Sequence, residues 1–173
     1  MVTAERSTTV GEILLSQAGS LLLFVGIASS LILLSSVRRP IGASSKNLVL
    51  FSQALPFVLL TYCFVTDARS IELVYRFGGD DLPLFYRVSA VWSSRSGPLL
   101  LWAAMMAIVT RLMSNKEHVV SVEVAIMHAW TAFLLVLSAM LGPFESTISS
   151  TSSGLNPLLQ TDLMVIHLSL IHI

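Results

Sequence analysis

From Ile13 to Val37 the chain runs 25 residues without a charged side chain. A helix of about 20 apolar residues already crosses the hydrocarbon core of a bilayer, and in lipid a segment must satisfy its own backbone N–H and C=O groups, which a helix does. Similar runs recur, and spans are placed at about residues 13–37, 47–66, 97–113 and 119–142, with a further one starting over 158–167. The fold class expected is all-α: a polytopic transmembrane helical bundle fragment with four spans, a short interfacial helix and the start of a fifth span, forming one domain over 1–173. Only 12% of residues are charged and mean hydropathy is +0.81, against about a quarter charged in soluble proteins. A soluble enzyme is excluded, because such spans would leave large apolar faces in water.

Ten basic and ten acidic residues cancel, so no net field recruits nucleic acid, and the bilayer is the first partner. The N-terminal run is too long for a signal-peptide core and is read as a retained span. Arg38, Arg39, Lys46, Arg111 and Lys116 fall on one side of the membrane, and Arg6, Arg69, Arg76, Arg87 and Arg95 on the other. The first group is packed into two short links beside helix ends, where charge acts most strongly on topology. That places the N-terminus and the 67–96 loop outside. Cys63, the single cysteine, has no partner for a disulfide or a thiolate metal site and is read as a packing residue.

Local signals refine the layout. Thr9 and Glu12 have the spacing of a capping box at the start of the first span. Ser16 and Ser20, and Gly19 and Gly26, repeat small residues on one face, which permits close helix approach as readily as it reflects membrane composition. Pro56 predicts a kink, Pro143 the end of the fourth helix, and residues 144–154 a Ser/Thr-rich link. The stretch 70–77 is β-branched and aromatic enough for a short extended piece, followed by a turn over 77–81. After Pro83, Leu84, Phe85, Val88, Val91 and Trp92 recur at helical spacing with Arg87 and Ser94 opposite, which predicts a short helix in the interface. Trp92 and Trp102 mark the same boundary.

Few residues suggest chemistry. Glu123 and His128 lie in the fourth span, where an ionisable group is costly. Five residues of helix separate them by about 140°, so they are not one site. Glu123 is read as a capping or snorkelling residue near a helix end. For His128 two readings stand: a hydrogen bond to a neighbouring helix, or a ligand or proton role. His118 lies in a short polar link. His167, after an Asn-Pro turn on the outer side, could present a neutral imidazole to haem iron, although spacing alone favours an ordinary helix-end histidine. Arg87 and Arg95 could hold carboxylates such as haem propionates, although interfacial arginines also snorkel. No hydrolytic triad, paired-carboxylate motif or phosphate loop is present, and no catalytic residue is assigned.

The chain resembles the N-terminal part of the CcmF-type membrane subunit of the cytochrome c haem lyase, within the cytochrome c assembly family. The resemblance is carried by the small-residue-rich first span, by Leu82-Pro83-Leu84-Phe85-Tyr86-Arg87-Val88-Ser89-Ala90-Val91-Trp92, by Gly97-Pro98-Leu99-Leu100-Leu101-Trp102 and by Gly142-Pro143-Phe144. Its most specific block is Leu155-Asn156-Pro157-Leu158-Leu159-Gln160 leading to Val165-Ile166-His167. The resemblance implies a cytochrome c biogenesis protein in a prokaryotic plasma membrane that binds haem at the outer face and helps attach it to apocytochrome c. It implies haem, b-type or in transit, as cofactor, His167 as axial ligand of the iron, and Trp92, Trp102, Arg87 and Arg95 as a surface beside it. It also implies partnership with a haem-delivery chaperone and other cytochrome c maturation membrane proteins. The other reading is a structural or ion- or proton-transport-type helical subunit without haem.

Two departures stand out. Arg95-Ser96 replaces a glutamate, often preceded by a histidine, that the family carries before the glycine. The family also continues through further spans, a tryptophan-rich haem-binding loop and a second outer histidine. Residues 168–173, Leu168-Ser169-Leu170-Ile171-His172-Ile173, stand where the family has two prolines and are read as a sequencing-adapter artefact. The chain is thus expected to be truncated, with native sequence ending at His167 and the fragment inactive alone.

Overall fold

The computed structural model of the chain describes residues 2–79, 82–114 and 119–147, and for 2–12 the backbone alone. The described residues are helical with isolated β-bridges and no strand: α1 (Val2–Ser35), α2 (Ala43–Val65), α3 (Glu72–Phe77), α4 (Leu84–Ala90), a 3-10 turn (Val91–Ser93), α5 (Ser96–Met113) and α6 (Val122–Met140). Four segments are long and apolar enough to cross a membrane: Ile13–Ser35, Ala43–Val65, Ser96–Met113 and Val122–Met140. The chain is an all-α integral membrane protein.

The packing of α5 and α6 explains why these helices require lipid. In α5 the small residues Ala103, Ala104 and Ala107 are buried while Met105, Ile108, Val109 and Leu112 are exposed. In α6 Thr131, Ala132 and Ser138 lie inside while Ile126, Phe133 and Val136 face out. Small side chains let backbones approach, and bulky apolar ones meet lipid at no cost. Hydroxyl groups inside the spans are satisfied locally: Ser30 donates to the Gly26 carbonyl, Thr110 to Met106 and Thr131 to Met127.

Two compact units divide the chain. The first comprises, among described residues, the chain up to Ser20, Leu59–Pro98 and the segment from Gly142. Its core includes Leu60, Phe64, Ile71, Val74, Val91 and Phe144, each almost fully buried. The segment after α6 is stitched in: Glu72 N–H donates to the Glu145 carbonyl at 2.9 Å, Thr147 N–H to that of Ser70 at 2.8 Å, and Ser16 Oγ to that of Phe144 at 2.5 Å. Ser94 Oγ accepts from Gly97 N–H at 3.0 Å and organises the entry into α5. A Cβ on Gly97 would lie 1.9 Å from the Val91 carbonyl oxygen, so only glycine fits.

The second unit comprises Leu21–Val58 and Leu99–Leu141. Around Arg38, whose φ is +64°, the α1–α2 link pairs with the segment before α6: Arg38 N–H donates to the Val120 carbonyl at 2.8 Å and Val120 N–H to that of Arg39 at 3.0 Å. Val120, Val124 and Ala125 pack there against Val37 and Ile41.

Several sequence expectations are corrected. Helix α1 passes straight through Thr9, so Thr9 and Glu12 do not cap its start. The piece expected to be extended over 70–77 is helical from Glu72 to Phe77, held by the i,i+4 pair of Glu72 and Arg76 at 2.6 Å, and only Ile71 makes a bridge. Val119 and Val120 are drawn into bridges with Pro40 and Val37, so α6 starts at Val122, capped by Ser121. It stops at Met140, before Pro143, and Gly142 has φ +59°. Ser94, placed on the polar side of the short helix, is buried. Asp80, Asp81, the link 148–154, the span start 158–167 and residues 168–173 lie outside the described residues.

Candidate functional site

In the first unit, the helix after Pro83 turns Leu84 and Phe85 outward and buries Ser89, Ala90 and Val91. Trp92 sits half-buried in the 3-10 turn that follows. Arg87 is anchored inward: its Nε donates to the Leu82 carbonyl at 2.9 Å and a terminal nitrogen to that of Val65, the last residue of α2, at 3.0 Å. The guanidinium fork thereby ties the loop to a helix end whose carbonyls lack intrahelical partners. Arg95 is exposed. Trp102 belongs to the second unit, where it is 38% exposed on α5. His167 and His118 lie outside the described residues.

The second unit contains a polar cluster between its spans. Gly26 lets α1 approach α2 so closely that a Cβ there would lie 2.8 Å from the Ser52 carbonyl oxygen. Beside it, the Ser29 and Ser52 hydroxyls are 2.8 Å apart, and Gln53 Nε2 reaches Ser30 Oγ at 2.8 Å. The same amide nitrogen contacts His128 Nδ1 on α6 at 3.0 Å. Thus His128 takes the first of its two readings, a hydrogen bond to a neighbouring helix. Glu123 is exposed in the first turn of α6, where its carboxylate meets the helix N-terminus and the Ser121 side chain.

A cavity extends from this cluster along α2, α5 and α6, lined among others by Lys46, Gln53, Thr110, Ser114 and His128. Its volume is about 20 Å³, room for about one water and far too little for a macrocycle. Lys46, almost fully buried, donates from Nζ to the Ser114 carbonyl, and Arg111 Nε donates to Asn47 Oδ1 at 2.7 Å. Gln53 escaped the sequence reading, yet a signal existed: Lys46 and Gln53, seven residues apart, put two polar side chains on one face of an apolar helix. No group of three or more His, Cys, Asp or Glu that could hold a metal occurs among the described residues.

Comparison with known proteins gives a consistent result. The cytochrome c-type biogenesis protein CcmF of Pseudomonas aeruginosa is 32% identical over 123 residues, 66% of this chain and 19% of the relative. CycK of Rhizobium meliloti, named likewise, is 30% identical over 131 residues, 69% of this chain and 19% of the relative. CcmF of Haemophilus influenzae is 27% identical over 180 aligned positions, 92% of this chain and 28% of the relative. The chain therefore spans between about a fifth and somewhat over a quarter of the length of these curated relatives. No family profile matches the chain, and no solved structure matches it. Along most of its length, the chain resembles the CcmF-type cytochrome c biogenesis proteins.

Proposed function

We propose that the chain is an N-terminal, membrane-embedded part of a haem lyase-type cytochrome c biogenesis protein, which binds haem at the outer face of a prokaryotic plasma membrane and helps attach it to apocytochrome c. The observation that carries this reading is about 30% identity over two thirds of the chain to proteins named for cytochrome c-type biogenesis. These names do not favour the structural or transport-type alternative. The N-terminus and the 67–96 loop face outward, and other maturation proteins, among them a haem-delivery chaperone, are the partners.

Haem does not fit the cavity beside His128, on volume. Its ligand is instead His167. Outward-facing Leu84 and Phe85, half-buried Trp92 and exposed Arg95 offer an apolar surface with one cation, which suits a macrocycle edge bearing carboxylates. Arg87 serves by fixing the helix after Pro83, since its nitrogens hold the Leu82 and Val65 carbonyls. When bound, haem supplies the vinyl groups to which cysteine thiols of apocytochrome c add. This chain's residues bind and orient it.

The test is haem content. The protein as its cell makes it, purified with His167→Ala, is expected to lose most of its haem absorbance. An unchanged spectrum and an unchanged haem-to-protein ratio would overturn the assignment of His167.

A further inference from the structure

Basic side chains gather at one end of the second unit. Lys46 Nζ reaches the Ser114 carbonyl there, Arg111 reaches Asn47, and the turn through Arg38 and Arg39 pairs with Val120. Glu123, exposed in the first turn of α6, is the carboxylate at this end among the described residues, and it meets the helix N-terminus and the Ser121 side chain. The four cations are not equivalent. Lys46 is buried on Ser114 and Arg111 is held by Asn47, so both are committed to contacts within the protein. Arg38 and Arg39 are exposed, and neither side chain makes a hydrogen bond or ion pair with the described residues.

The backbone beneath these two arginines is nevertheless fixed. Arg38 takes φ +64°, its N–H donates to the Val120 carbonyl at 2.8 Å, and the Arg39 carbonyl accepts from Val120 N–H at 3.0 Å. A turn already ordered loses less entropy on binding a ligand. Beside it an apolar surface begins: Val119, bridged to Pro40, is 41% exposed, and Val122, the first residue of α6, is 50% exposed.

These features select the ligand. Guanidinium groups bind phosphate oxygens through charge-assisted hydrogen bonds, and the valines call for hydrocarbon next to the phosphate. A phospholipid with an anionic headgroup supplies both, and the bilayer delivers it at the level of the helix ends. A soluble acidic partner would match the cations but leave the valines uncovered. We propose that the Arg38–Arg39 turn, with Val119 and Val122, is a docking surface for an anionic phospholipid, its phosphate on the guanidinium groups and an acyl chain along α6. The lipid covers the seam where the α1–α2 link pairs with the start of α6. The surface is independent of the haem reading and of which leaflet meets it.

Native mass spectrometry of the full chain, released from detergent with equal amounts of phosphatidylglycerol and phosphatidylcholine, tests this. Both lipids carry a phosphate and acyl chains, and only the first is anionic. At about fivefold per basic residue, wild type should retain phosphatidylglycerol about 25-fold over phosphatidylcholine. Arg38→Asn combined with Arg39→Gln should retain the two about equally, asparagine being chosen because it tolerates positive φ. Arg39→Gln alone, which leaves the positive-φ position intact, should lose about fivefold. Arg95→Gln, at an exposed arginine of the first unit, should keep the wild-type preference. Equal retention of the two lipids by wild type, an undiminished preference in Arg39→Gln or in the double variant, or an equal loss in Arg95→Gln would overturn the proposal.

Discussion

Replacing Gly26 by alanine probes the contact on which the polar cluster depends. The new methyl would lie 2.8 Å from the Ser52 carbonyl oxygen and 3.2 Å from Leu135 Cδ1. Ordinary contact begins at 3.4 Å, so α1 and α2 must separate by roughly 0.6 Å. A backbone oxygen cannot swing aside as a side-chain tip can. Separation stretches the Ser29–Ser52 and Ser30–Gln53 hydrogen bonds, both 2.8 Å, to about 3.4 Å, near the limit of useful geometry. Overpacking costs about 1–3 kcal/mol, and two weakened interhelical bonds add about 0.6 kcal/mol each, so Gly26→Ala should destabilise the fold by about 2–4 kcal/mol. Reversible unfolding in mixed micelles with increasing dodecyl sulfate measures this. Gly42→Ala is the control, since a Cβ there meets nothing within 4 Å and should change stability by less than about 0.5 kcal/mol. Equal midpoints for the two variants would refute the close-approach argument.

Three further outcomes follow from single contacts. Gly97→Ala, with its Cβ 1.9 Å from the Val91 carbonyl oxygen, should cost at least the upper end of the ~1–3 kcal/mol overpacking range, visible as a lowered unfolding midpoint in the same assay. Arg87→Lys keeps the charge but cannot serve the Leu82 and Val65 carbonyls together. It should cost about 1–2 kcal/mol and speed proteolytic cleavage between residues 66 and 83, whereas wild-type cleavage rates would count against the tie. Ser121→Ala removes the acceptor for Val124 N–H at the start of α6, costs about 1 kcal/mol, and should raise hydrogen exchange at the Val124 amide.

The spans were legible because a charge-free run leaves a chain in lipid few choices, whatever its neighbours. Their ends were less legible because tertiary pairing sets them: Val119 and Val120 are as apolar as the rest of α6, yet bridges to Pro40 and Val37 hold them extended. Residues 72–77 form a helix through the Glu72–Arg76 pair and docking of the chain beyond Gly142, and neither lies in the local β-branched pattern. His128 stood out in the sequence, but its partner Gln53 did not. An uncharged amide does not break a charge-free run, and only its place seven residues after Lys46, on the same face of the helix, marked it. His167 rests on the motif around it.

The central claim, a role in cytochrome c biogenesis, is tested most directly by deleting this chain's locus and staining cell membranes for covalently bound haem after denaturing electrophoresis. The account predicts loss of haem-staining c-type cytochromes, restored by the wild-type locus and not by one carrying His167→Ala. Undiminished covalent haem in the deletion strain would contradict it.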